Sequence, residues 1–109
     1  MTLSEFRDVL LTVGNVPVFH NEADKSDEYI VWQEVTGNLG IEADGEKAES
    51  GLRIAVEYFT KSEYSQVPAE IETKLSMYDE ICLDGPVIDY EEDTGYTHYV
   101  YTAEVYGHI

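Results

Sequence analysis

The sequence predicts an α+β domain, with two helices packed on a mainly antiparallel sheet of about five to six strands and residues 1–109 forming a single unit. Three observations lead there. Apolar residues recur at helical spacing in two short stretches, Leu3 to Val13 and Pro68 to Tyr78. They alternate with polar residues, as in a half-buried strand, through Gly51 to Thr60 and Tyr96 to Ile109. At 109 residues the chain is long enough for one core without staples and too short for two.

The elements follow in chain order. Thr2-Leu3-Ser4-Glu5 fits a capping box, and Leu3, Phe6, Val9, Leu10 and Val13 then share one helical face, with Gly14 as the stop. Val16 to His20 is a short extended piece, where Pro17 marks the start or edge of a sheet. Asn21 to Glu28 reads as a loop. Tyr29 to Thr36, rich in β-branched and aromatic residues, reads as a strand; Gly37-Asn38 is then a turn and Leu39 to Ala43 a return strand. Asp44 to Ser50 shows neither period and is expected to be an exposed loop.

Gly51 to Thr60 is the clearest strand, placing Leu52, Ile54, Val56 and Tyr58 on one face. A second helix starts near Pro68, a favourable first-turn position, with Ile71, Leu75 and Tyr78 on one side. In Ile81-Cys82-Leu83 the cysteine is expected to be a small buried hydrophobe, since nothing basic nearby would stabilise a thiolate. A terminal hairpin, Pro86 to Glu91 and Tyr96 to Ile109, completes the sheet. Tyr99, Tyr101, Ala103 and Val105 fall on one face of its second strand.

Charge bounds the function. Six Lys and Arg stand against 23 Asp and Glu, a net charge of −17, and neither Lys nor Arg occurs after Lys74. Such a surface repels phosphate, so tight binding to nucleic acid or to an anionic membrane is not expected. The longest apolar runs fall far short of the ~18 residues of a membrane span, and the N-terminus carries no secretory signal pattern. A single cysteine excludes an intrachain disulfide and suits a reducing compartment.

Asp93-Thr94-Gly95 is the triplet of retroviral-type aspartic proteases, whose carboxylates share a proton in a dry site at a dimer axis. Here Tyr90-Glu91-Glu92 precedes it, and three adjacent acids are not taken out of water without partners. A hairpin loop with Gly95 at positive φ is the expectation instead. Asp89, Glu91 and Asp93 alternate as in an EF-hand loop, but the glycine comes one place late, at Gly95, and Val100 stands where the bidentate glutamate is needed, so the motif fails. His20, His98 and His108 lack metal-ligand spacing, and there is no nucleophile elbow or phosphate-cradling glycine loop. No catalytic residue, metal or cofactor is therefore expected, and the chain is not expected to be an enzyme. Among nine tyrosines, Tyr96 and Tyr106 lie opposite the packing face and are the ones expected to be free for a partner.

Two blocks carry a resemblance: Val56-Glu57-Tyr58-Phe59-Thr60-Lys61 and Tyr90-Glu91-Glu92-Asp93-Thr94-Gly95-Tyr96-Thr97-His98-Tyr99. With the N-terminal helix and Tyr29-Ile30-Val31-Trp32-Gln33-Glu34, they resemble small proteins encoded between the head-connector and tail-tube genes of siphophages and their prophages. That group is similar to the tail terminators; stopper and adaptor proteins of the neck are of similar size, and these blocks do not separate them. The resemblance implies a virion structural protein of the tail or neck, made in the host cytoplasm. It would form a ring with copies of itself at the head-proximal end of the tail tube. Its partners would be the tail-tube protein and the head-connector or stopper protein, and DNA would pass without being gripped. Asp89, Glu91, Glu92 and Asp93 are the candidates for the ring lumen and Tyr96 and Tyr106 for interfaces. The alternative reading of so acidic a surface is a DNA mimic that inhibits a host nuclease or restriction system.

Overall fold

The computed structural model describes residues 1–36, 41–43, 46–49 and 51–107. Helix α1 (Leu3–Leu11) opens with the expected capping box: the Glu5 amide donates to Thr2 Oγ1 at 3.1 Å and the Thr2 amide to Glu5 Oε1 at 3.1 Å. Those bonds, the backbone one foremost, hold the Glu5 carboxyl below the usual carboxylate range. Thr12 closes the helix, donating through its hydroxyl to the Val9 carbonyl at 2.7 Å, and Gly14 at φ +51° turns the chain away.

Strands β1 (Val18–His20), β2 (Glu28–Thr36), β5 (Gly51–Thr60), β6 (Ile81–Tyr90) and β7 (Thr97–Tyr106) form one sheet in the order β1-β2-β5-β7-β6. It is antiparallel except at β1, which runs parallel to β2 with Val18 opposite Ile30. Helix α2 (Val67–Leu75) joins α1 on one face of this sheet. The α+β architecture is therefore as the sequence predicts. Two short strands, β3 (Ile41–Ala43) and β4 (Glu46–Glu49), pair with each other as a second, two-stranded sheet.

One continuous core lies between the helices and the main sheet. Phe6, Val9, Leu10 and Val13 from α1 and Ile71 and Leu75 from α2 close over Ile30 and Trp32 of β2, Ile54, Val56 and Tyr58 of β5, and Tyr101, Ala103 and Val105 of β7. Burying a side chain of this size contributes roughly 1.5–3 kcal/mol relative to leaving it exposed. Alternation along β5 and β7 puts every second residue in this layer, as their sequence pattern requires.

Two hydroxyls end in this core and find partners at its margin. Tyr58 donates to Glu28 Oε2 and lies 2.6 Å from Ser65 Oγ; Tyr101 donates to Glu72 Oε2 at 2.9 Å. Burial first, and then the carboxylate partner, pushes the Tyr58 phenol from 10.0 up to about 12 and raises Tyr101 in the same way. The unfolded chain loses these protons at a lower pH than the folded one. The stabilisation is thus complete below about pH 10 and is lost as pH rises through the folded values. Denaturant unfolding followed at stepped alkaline pH should show stability falling between pH 10 and about 12, less steeply in Tyr58→Phe. A flat profile there would contradict the buried, carboxylate-bonded phenols.

Several expectations need correction. The described part of the expected return strand, Ile41–Ala43, does not fold back onto β2, because β1 and β5 already occupy both edges of β2; it pairs with β4 instead, and Leu39 lies outside the described residues. Residues Glu46–Glu49, expected in a loop, form β4: backbone pairing across a hairpin needs no apolar alternation. The Gly37-Asn38 turn and His108 lie outside the described residues. Helix α2 ends at Leu75, so Tyr78 is beyond it and exposed. Cys82 is exposed rather than buried, because Ile81 and Leu83 take the inward positions and turn it to the opposite face of an outermost strand.

Candidate interaction surface

Strands β6 and β7 form the predicted terminal hairpin, with β6 starting five residues earlier than its apolar run suggests, at Ile81 rather than Pro86. The two strands pair from Ile81 opposite Val105 to Tyr90 opposite Thr97, interrupted by a bulge between Asp84 and Val87 where Gly85 adopts φ +105°. The closing loop is held by the Glu91 amide on the Tyr96 carbonyl and the Gly95 amide on the Glu91 carbonyl, both at 2.8 Å. Thr94 adds a hydroxyl bond to Glu91 Oε1 at 3.0 Å.

Gly95 sits at φ +80° with nothing near the place a Cβ would occupy, so its role is conformational. Asp93 is exposed at the tip, not in a dry site. Asp93→Asn should accordingly leave stability within about 0.5 kcal/mol of the parent, whereas Gly95→Val should cost about 1 kcal/mol or more through backbone strain alone. Chemical denaturation of both variants checks this. Peptide cleavage abolished by Asp93→Asn would overturn the turn reading.

The lumen candidates divide by position. Glu92 and Asp93 are exposed at the tip and Asp89 near the end of β6, whereas Glu91 is half-buried. Its Oε1 accepts the Thr94 hydroxyl and its Oε2 lies 4.0 Å from His98 Nδ1. His98 Nε2 lies 2.9 Å from Glu57 Oε1, so this imidazole is held between two carboxylates. Among the described residues, none of Asp84, Asp89, Glu92 and Asp93 has a cationic partner.

Tyr96 and Tyr106 are more tied into the fold than expected. The Tyr96 hydroxyl donates to the Ser26 carbonyl at 2.5 Å, and its ring meets Tyr29 and Phe59 edge-on. Phe59 also stacks on Tyr29 and on His98, at 4.8 and 4.1 Å between centroids, and Phe19 abuts Tyr29. This aromatic row covers one end of the sheet face opposite the helices. Tyr106 donates to Glu104 Oε2 at 3.0 Å, and Glu104 also accepts from Arg53 at 2.9 Å; the arginine foremost holds that carboxyl below its usual range. The Tyr106 ring lies over Gly51, where a Cβ would come within 2.9 Å of it.

The residues left open are ones the sequence did not single out. On β6, Val87, Ile88 and Tyr90 are 70%, 58% and 60% exposed, and among the described residues no strand pairs with the outer edge of β6. Their place in a strand was legible in the run Pro86 to Glu91, but which strand ends the sheet is not a local property. Among the described residues, no group of three or more His, Cys, Asp and Glu is placed to hold a metal ion. No helix among the described residues is long and apolar enough to cross a membrane.

No protein-family model matches the chain, and neither does any curated protein. What the surface can do is read from its chemistry: a bare strand edge with apolar side chains, set beside carboxylates that have no cationic partners.

Proposed function

We propose that the protein is a phage virion structural component, a tail-terminator or tail-completion protein. It forms a ring at the head-proximal end of the tail tube and joins the tube to the head. The observation that carries this reading is the separate β3–β4 pair, which lies between β2 and β5 in the chain and, among the described residues, pairs with no strand of the main sheet. An isolated two-stranded hairpin is marginal in water, so such an arm gains its stability by lying on another surface. A ring supplies one, since a heterologous interface brings one surface of each subunit against a different surface of the next. The resemblance of the two sequence blocks supports the class, and the net charge of −17 supports a path along which DNA slides without being gripped.

Purified protein mixed with tail tubes and viewed by electron microscopy tests the proposal. Alone, it should sediment as a monomer or weak oligomer, because its charge opposes self-association at low salt. With tubes, rings should cap one end. A variant with residues 41–49 replaced by a short Gly-Ser linker should keep its fold and lose the caps. A tight dimer, indifferent to salt and to tubes, would overturn the ring.

A further inference from the structure

We propose that the outer edge of β6, from Val87 to Tyr90, accepts an extended basic segment of another protein as a sixth strand of the main sheet. This goes beyond the ring reading and does not depend on it. The edge is the chemistry of the site. In an antiparallel pair every second residue turns its N–H and C=O away from its neighbour, and among the described residues no strand beyond β6 takes them. At the other end of the sheet β1 spans only three residues, a length that leaves little to pair with. Strand β6 spans ten.

The side chains state what the occupant must look like. Register with β7 puts Ile88 and Tyr90 on the helix side of the sheet, opposite Tyr99 and Thr97, and Val87 and Asp89 on the other side, opposite Val100 and His98. Although they face the helix side, Ile88 and Tyr90 are more than half exposed. Beside them opens a groove of about 500 Å³ lined by Lys61, Ser62, Glu63, Tyr90, Thr97 and Tyr99, whose own cation at Lys61 leaves it to the neutral side chains of an occupant. An incoming strand therefore offers apolar side chains on its helix side, to cover Ile88 and enter this groove. On its other side it offers long cations, whose stems lie over Val87 and whose heads reach Asp89 and Asp84.

Charge selects between a partner and a second copy. Asp84 and Asp89 on the strand, with Glu92 and Asp93 at the adjoining tip, have no cationic partners among the described residues. Two such edges brought together would set like charges against each other. The bulge and Pro86 further break the edge against extended self-pairing. A basic strand meets the opposite condition.

The test uses the whole protein and a short synthetic peptide alternating Lys with Val, with an alternating Glu and Val peptide as control. The basic peptide should slow amide hydrogen exchange at Val87 to Tyr90 and not in β1, more weakly as salt rises, and the acidic peptide should not. Reversing Asp84 and Asp89 to Lys should weaken the basic peptide about tenfold, as two exposed pairs turn from attraction to repulsion, and should admit the acidic one. Near-ultraviolet circular dichroism confirms that the variant is folded; if it is not, the wild-type comparison of the two peptides and its salt dependence decide. Protection elsewhere, equal binding of both peptides, or no protection at millimolar peptide would overturn the proposal. So would protection that appears with protein concentration alone, which would make the edge a contact between copies.

Discussion

Phe6→Ala is expected to destabilise the protein by about 3–5 kcal/mol, a large part of the 5–15 kcal/mol typical of a domain. Phe6 is fully buried, meets Trp32 edge-on at 5.8 Å between centroids, and lies on the face of α1 that closes the core over β2. Alanine there leaves a cavity between α1 and the sheet that the surrounding core relaxes only partly to fill. Urea unfolding should show the midpoint falling with little change in slope. On the same helix, Leu11→Ala should stay within about 0.5 kcal/mol, since Leu11 is 55% exposed. If the two substitutions cost the same, α1 is not packed on the sheet by this face.

Reversing Asp89, Glu92 and Asp93 to Lys is expected to leave particle yield normal and to slow DNA release about tenfold or more. If these residues line a DNA path, as the proposed function has it, each added cation would neutralise a phosphate and release counterions, so the genome would be gripped. Glu91 is kept in this variant because its carboxylate accepts the Thr94 hydroxyl in the hairpin loop, so its loss would disturb the fold as well as the charge. The other three have no cationic partner among the described residues, and all are exposed. Yield and release from triggered particles are the two measurements. Normal yield with normal release would remove these residues from the lumen. A DNA mimic makes the opposite demand, that reversal abolish inhibition of its nuclease and leave assembly untouched.

The candidate surface was legible only in part. The acidic loop and its turn stand out because Gly95 and its flanking strands are neighbours in the chain. The aromatic row did not, because Phe19, Tyr29, Phe59 and Tyr96 meet only once β1, β2, β5 and β7 are side by side. The same pairing takes up Tyr96 and Tyr106, which a one-strand reading placed at liberty. It leaves Val87, Ile88 and Tyr90 exposed, although their composition reads as ordinary strand.

What the sequence determined by itself is what a few consecutive residues decide. The Thr2–Glu5 capping box starts α1 and Gly14 turns the chain away just past its end; alternation in Gly51–Thr60 and Thr97–Tyr106 sets the buried faces of β5 and β7; and Gly95 makes the hairpin turn. Hydrogen bonds and faces of this kind close within a turn or a strand, so their pattern is written locally. Strand neighbours are not. That β1 runs parallel to β2, that β3 turns to β4, that Cys82 faces outward and that β6 is left as the edge follow from competition among all the strands for the same backbone partners. Only the assembled sheet resolves that competition, because each pairing is worth forming only when the side chains above it are buried by elements distant in the chain.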